Sequence, residues 1–366
     1  MRISADEPTL ALDTARRAPR ALPLLNAPLD VQKDIVYRDA APRSVLNAPA
    51  ATGIGCWSLN PYVGCAFGCA YCYARYAHRY AAERDAMVRE TVGHDGEASS
   101  DDALPPWLAF ERRVLVKREA PALVRQALGG SSGRYRRLRS GQEWLVIGTA
   151  TDPYQPAERR FGVTRGVLEA LAEHPGVRVA VITKSPLVAR DVDLLARIAA
   201  QGATSIHMSL ITLDRTLARR VEPRAPTPES RLRAVARLAA AGIDVGINLM
   251  PVLPGITDGP AGLDALVRRA KEAGAAHLAA GALRLQSTAR ERYLPWIAAE
   301  FPALAARYAA TYGRSADAGA GYRAGLRAYV TKLCTRHGLC TRSYDRERGS
   351  LAPTRPRVAD QLTLGL

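Results

Sequence analysis

Six short apolar runs rich in β-branched residues punctuate the chain: Trp57–Tyr62, Trp144–Thr149, Val177–Thr183, Thr204–Leu210, Asp244–Met250 and His277–Leu285. Between them lie stretches of helical period, Tyr73–Val88, Val163–Glu173, Leu187–Ala200, Pro228–Ala241 and Ala261–Ala273. This alternation leaves few folds open. Successive strand–helix units take right-handed crossovers, so the strands run parallel and helices cover the sheet. Six units predict an α/β chain with an incomplete (β/α)6 TIM-like barrel rather than a flat sheet. Gly202, Gly242 and Gly274 each close a helical stretch just before a strand, as helix-ending glycines do. Residues 1–51 read as a polar N-terminal arm, 52–286 as the partial barrel, and 287–366 as a C-terminal helical extension and tail. Phe110–Lys117 is expected to add a strand and Pro121–Leu128 a helix, with Gly93–Asp102 an acidic insertion and Gly129–Gly141 a basic loop. Helices are also expected within Tyr293–Tyr312 and Tyr322–Cys334.

Composition narrows the function classes. With 48% hydrophobic and 23% charged residues, the chain can bury a core, which excludes disordered, collagenous and disulfide-scaffold classes. No run of about 18 apolar residues is present, so no membrane span is expected. The first thirty residues lack an apolar export segment, which points to the cytoplasm. In that reducing compartment, clustered cysteines signal metal or redox chemistry rather than disulfides. The net charge of +16 is concentrated. Arg112–Arg139 carries a net +8 and the chain from Tyr312 onward a net +6. Clustering of this kind suits a polyanion partner such as nucleic acid, or simply an arginine-rich surface.

Three of the six cysteines fall in Cys65-Ala-Phe-Gly-Cys69-Ala-Tyr-Cys72, directly after the first barrel strand. Three thiolates within eight residues can wrap one metal centre. Zinc sites usually take four ligands, and no matching pair lies nearby. Three thiolates on a [4Fe–4S] cluster leave one iron open to a substrate or cofactor. Gly64 and Gly68 permit the tight backbone such a loop needs.

At these residues the chain resembles radical S-adenosylmethionine (SAM) enzymes, and among them the spore photoproduct lyase-like, or DNA repair photolyase-like, branch. The resemblance rests on Asn60-Pro-Tyr-Val-Gly-Cys65, Cys69-Ala-Tyr-Cys-Tyr-Ala-Arg75, Thr151-Asp-Pro-Tyr-Gln-Pro-Ala-Glu-Arg159, Thr183-Lys-Ser185 and Glu222-Pro-Arg-Ala-Pro226. It spans about Leu46 to Gln286. It implies a [4Fe–4S] cluster on Cys65, Cys69 and Cys72, with S-adenosyl-L-methionine on the open iron. One electron, from a donor such as flavodoxin or ferredoxin, then yields a 5′-deoxyadenosyl radical that abstracts hydrogen from the substrate. Residues matching the lyase's cofactor contacts are Thr151, Asp152, Lys184 and Ser209, with Tyr71 packing near the adenine. Carboxylates and hydroxyls accept from an ammonium, while Lys and Ser donate to a carboxylate, so these types suit the task. Tyr71 and Tyr73 flank Cys72 and are the catalytic candidates, as radical relays; the plainer role is packing. Thr149 stands where the lyase carries its hydrogen-donating cysteine. Nucleic acid is the substrate class the resemblance implies. A peptide or small metabolite stays open, as does a metal-stabilised nucleic-acid-binding protein without turnover.

Weaker signals remain. Period two places His207 on the face of Ser209, hence toward the barrel lumen, while Asn248 and Arg284 are polar residues in apolar runs. For each, a satisfied structural hydrogen bond is the plain alternative to a contact with substrate. Arg224 is read as pairing with Glu222 or reaching the pocket. Cys334-x2-His337-x2-Cys340, with Cys56, is weighed as a second metal site against free thiols.

Overall fold

The computed structural model describes residues 28–32, 34–75, 104–342 and 353–354. Among these residues thirteen strands form two sheets. The strands are β1 (Pro28–Gln32), β2 (Ile35–Asp39), β3 (Leu46–Asn47), β4 (Trp57–Leu59), β5 (Tyr62–Val63), β6 (Arg113–Val116) and β7 (Trp144–Ile147). The remainder are β8 (Arg178–Thr183), β9 (Ala203–Ser209), β10 (Asp244–Val252), β11 (His277–Ala282), β12 (Cys340–Arg342) and β13 (Pro353–Thr354). The larger sheet runs β13-β12-β11-β10-β9-β8-β7-β4-β3. Its seven strands from β4 to β12 are mutually parallel, with β3 and β13 antiparallel at the edges. Helices fill the crossovers, among them Val163–Ala172, Val192–Gln201, Pro228–Ala240 and Pro260–Glu272. This is the partial barrel that the alternation predicts.

Side-chain alternation gives the sheet two different faces. Leu145, Ile147, Ile206, Met208, Val245, Ile247 and Leu249 pack with helix residues such as Leu195, Val235, Leu238 and Leu266 in one large core. On the opposite face Cys56, Trp144, Val146 and Ala180 form a small separate cluster. The same face carries a polar band. Register places Ser58, Val146, Ala180, Ser205 and Asp244 in one row, and Ile182, His207, Gly246 and His277 in the next. Ser209 and Asn248 follow, toward the C-terminal strand ends. His207 therefore does share the lumen face of Ser209, but it is fully buried. It lies 3.4 Å from Ser205 Oγ and 4.9 Å, ring to ring, from His277. Gly246 makes that row possible: a Cβ there would stand 2.1 Å from His277 Nδ1 and 2.4 Å from its carbonyl oxygen. Gly246→Ala is expected to cost about 3 kcal/mol through overpacking, read as a lower denaturation midpoint at unchanged slope.

Several boundaries move. The N-terminal arm holds three strands, of which β2 pairs parallel with β6 and β3 antiparallel with β4. Phe110–Lys117 is not one strand: the helix Pro106–Arg112 precedes β6, and β6 joins the smaller sheet, β1-β2-β6-β5. The basic loop contains short helical turns at Gly133–Tyr135 and Arg136–Arg139. The C-terminal extension is not purely helical, because β12 adds to β11 with Cys340 opposite His277. The expected helix Tyr73–Val88 starts as a 3-10 turn at Tyr73–Arg75; its remainder, the Gly93–Asp102 insertion and the tail's Tyr344 lie outside the described residues. No described helix is long and apolar enough to cross a membrane.

Candidate active site

The cysteine loop leaves β5 at the C-terminal end of the parallel strands, where the turns after β7 and β8 also converge. Cys65 and Cys69 are buried and Cys72 is half-buried. The loop turns on Gly64 (φ +89°) and Gly68 (φ +64°), a left-handed backbone that only glycine enters freely. Gln155, fully buried, clamps its start: Ala66 N donates to Gln155 Oε1 (2.9 Å), and Gln155 Nε2 donates to Gly64 O (3.0 Å). Thr151 Oγ1 donates to the same carbonyl at 2.6 Å. Ala70 N donates to Val221 O at 2.9 Å, tying the loop's far side to the end of the helix Arg215–Val221 that follows β9.

Burial, with Asp152 and Cys72 adding to it, pushes the Cys65 thiol up to about 12. Burial raises Cys69 and Cys72 as well, against the pull of Lys184 on both and of Arg75 on Cys72. The main-chain amides of Phe67 and Asp152 near the Cys65 sulfur, and that of Ala74 near the Cys72 sulfur, act against burial and favour the thiolate. Thiols so buried keep their protons unless a metal displaces them. Amide donors and nearby cations are what a thiolate-ligated centre requires. The donor set therefore fits an iron–sulfur cluster. Among the described residues no three His, Cys, Asp or Glu side chains are drawn together as for a single ion. A multi-iron cluster places each thiolate on a different iron, so its cysteines need not converge on one point.

A buried charged chain supports Tyr71. Its hydroxyl donates to Glu222 Oε1, and Glu222 Oε2 pairs with Arg231. Arg231 also donates to Ser209 O (3.0 Å) and Pro226 O (2.9 Å), so cysteine loop and β9 end share one network. Lys184 Nζ sits 5.6 Å from the Tyr71 ring centroid. Burial alone would lower the Lys184 ammonium, but Cys69 and Glu222 hold it above its ordinary value. Asp152 is heavily engaged within the protein. Its carboxylate accepts from Thr183 Oγ1 (2.7 Å), Tyr154 N (2.9 Å) and Lys184 N (2.7 Å). Cys65, Cys69, Cys72, Tyr71, Thr151, Asp152 and Lys184 are thus brought together by direct contacts or electrostatic coupling, with Ser209 joined through its carbonyl.

Other expected residues are placed differently. Tyr73 is exposed, and its hydroxyl donates to Thr149 O. Thr149 Oγ1 accepts from Asn60 Nδ2 at 3.1 Å. Arg224 pairs with Glu111 (2.9 Å), not Glu222. Arg284 faces Asp317 at 3.8 Å. Cys56, Cys334, His337 and Cys340 do not assemble: Cys56 packs on Trp144's cluster, Cys334 lies in the helix-side core, and His337 Nε2 meets Asp264 at 3.0 Å. The basic stretch is split. Arg112–Lys117 runs beside the cysteine loop, with Lys117 donating to Asn60 O. The turns carrying Arg134–Arg139 precede β7 and sit at the N-terminal strand ends, where Gly176 O approaches Gly141. Sequence reasoning missed the roles of Gln155, Arg75 and Glu111. Gln155 stood inside a quoted motif, but nothing local marked its partners.

Comparison with known proteins agrees with this architecture. The Radical SAM superfamily model matches residues 134–265. An uncharacterised protein of Mycobacterium tuberculosis is 33% identical over 307 residues, covering 83% of this chain and 82% of its own. An uncharacterised protein of Methanocaldococcus jannaschii is 24% identical over 200 residues, 55% of this chain and 61% of that one. Among solved structures, a spore photoproduct lyase mutant matches with TM-score 0.54 at 14% identity, covering 83% of this chain and 81% of that chain. Another lyase mutant, with bound AdoMet and dinucleoside spore photoproduct, gives 0.51 at 13%, covering 82% and 79%. The lyase likeness shows a shared fold. Taken with the family match and the extended identity to the mycobacterial protein, it leads to one assignment: this chain belongs to the radical SAM superfamily and is a radical SAM enzyme.

Proposed function

We propose that Cys65, Cys69 and Cys72 hold a [4Fe–4S] cluster, that S-adenosyl-L-methionine binds beside it, and that the substrate is nucleic acid. The observation that carries this is the buried three-cysteine loop, clamped at the C-terminal strand ends by Thr151 and Gln155. Cluster and SAM together supply a 5′-deoxyadenosyl radical for hydrogen abstraction. The chain's own groups do the rest. Gln155 and Thr151 fix the loop; Glu222 and Arg231 fix Tyr71; Lys184 places a positive charge over that ring, suited to a carboxylate. Burial of the sulfurs keeps water from the reactive centre. Thr149 is a hydroxyl, a poor hydrogen-atom donor, so return of hydrogen to substrate takes a route other than the lyase's thiol. The cytoplasm suits the six free cysteines, and flavodoxin or ferredoxin suits the electron supply.

Support for nucleic acid comes from the shared fold of a lyase solved with a dinucleoside. Arg112 pairs with Asp34 and Arg113 is buried, so neither is presented to a phosphate backbone. Arg134–Arg139, at the other end of the barrel, add nothing to that support. Protein reconstituted and reduced without oxygen should release 5′-deoxyadenosine, and should bind DNA or RNA with affinity that falls steeply as salt rises. No 5′-deoxyadenosine would overturn the chemistry. Its release without nucleic-acid binding at low salt would overturn the substrate and favour a peptide or metabolite.

A further inference from the structure

Beneath the cysteine loop lies a buried carboxylate that the chemistry above does not use. Glu111, on the helix Pro106–Arg112, is 5% exposed and surrounded by guanidiniums. Arg75 Nη2 stands 2.7 Å from its Oε1, Arg224 Nη2 2.9 Å from its Oε2, and Arg292 Nε 3.8 Å from Oε1. Two of these arginines also grip the loop from outside. Arg75 donates to Cys69 O at 2.6 Å, and Arg224 donates from its side chain to Ala66 O and from its backbone to Phe67 O. Three carbonyls of the four-residue segment Ala66–Cys69 are thus held by side or main chain of residues that Glu111 orients. The approach is close: a Cβ on Gly68 would stand 2.5 Å from Arg224 Nη2 and 2.7 Å from Glu111 Oε2. Among the described residues charge does not balance locally, since three guanidiniums face one carboxylate. Arg292 is half-buried, its guanidinium 5.4 Å from the Trp107 ring centroid, in a place where cations should be matched by anions. A cluster bound by three thiolates is anionic, and more so when reduced.

We propose that Glu111 is the positioning residue that, through Arg75 and Arg224, holds Ala66–Cys69 in its cluster-binding shape, and that Arg292 completes a positive surplus favouring the reduced cluster. This rests on the cluster assignment above. Breaking a buried ion pair on one side leaves the other charge uncompensated, so the loop should loosen when Glu111 is neutralised.

The test compares reconstituted wild-type protein with Glu111→Gln and Arg292→Gln. Glu111→Gln should lose its cluster absorbance to an iron chelator at least about tenfold faster than wild type. Its midpoint potential should rise, because a negative charge has gone. Arg292→Gln should keep wild-type resistance to the chelator and show a lower midpoint potential. A role confined to packing would not produce opposite shifts of potential. Equal chelation rates in Glu111→Gln and wild type would overturn the clasp, and shifts of the same sign would overturn the charge role. Should Glu111→Gln fail to fold, Arg224→Gln, at a half-buried position, makes the same chelation prediction. Wild-type protein that takes up no cluster would overturn the cluster assignment itself, and this proposal with it.

Discussion

Single replacement of Cys65, Cys69 or Cys72 by Ala is expected to abolish the cluster's visible absorbance and to cut 5′-deoxyadenosine release by more than about a thousandfold. The size follows from residues acting as one unit: losing one of three thiolates removes the centre rather than a third of it. Stability of the apo protein should not follow activity. Each buried thiol is held protonated by its surroundings, Cys65 up to about 12, so without metal it behaves as a small apolar group. Alanine there should leave the apo protein's unfolding midpoint nearly unchanged while the cluster disappears. Iron and sulfide analysis, absorbance and thermal unfolding of the same preparations check it. A variant that retained full absorbance would show that the cysteine concerned is not a ligand.

Which features the sequence makes legible depends on the distance between partners. Strand β9 reads directly, because Ile206 and Met208 face helices while Ser205, His207 and Ser209 face the lumen, an alternation contained in seven residues. The cysteine loop reads as directly, since its three sulfurs lie within eight residues. Long-range pairings carry no such local mark. Ile35–Asp39 is a buried strand because it pairs with Arg113–Val116, more than seventy residues away, so a proline-dotted arm hides it. Cys340–Arg342 is too short to show a period and becomes a strand only by docking on β11. The Arg75–Glu111–Arg224 clasp joins three separate loops and helices, each with an ordinary charged residue. Asp152 carries a mark of both kinds: the motif names it for a cofactor ammonium, while the three donors that fix its carboxylate come from Thr183, Tyr154 and Lys184 and leave no local trace.

The second large effect is expected at Arg231. Both it and Glu222 are 1% exposed, and the pair sits between Tyr71 and the end of β9. Arg231→Met keeps most of the side-chain volume but strands a buried carboxylate, and should cost about 3–5 kcal/mol. The pH dependence identifies the cause. Burial by itself would raise the Glu222 carboxyl, but Arg231 and Lys184 outweigh it and hold the group below its ordinary 4.5. A depressed folded-state value means that the pair's stabilisation is present above about pH 4.5 and fades as pH falls through the lower folded value. Without Arg231, burial gains the upper hand and Glu222 shifts toward the neutral acid. The stability gap between wild type and Arg231→Met should therefore be widest near neutrality and narrow as the solution is acidified. Adding Glu222→Gln to Arg231→Met should recover much of the loss, since the stranded carboxylate is then gone, although Lys184 loses one of the anions that support it. Urea midpoints of the three variants across the acid range decide it. A gap that stayed constant with pH, or a double variant no more stable than Arg231→Met, would mean that Arg231 acts through packing and its bonds to Ser209 O and Pro226 O rather than through its charge.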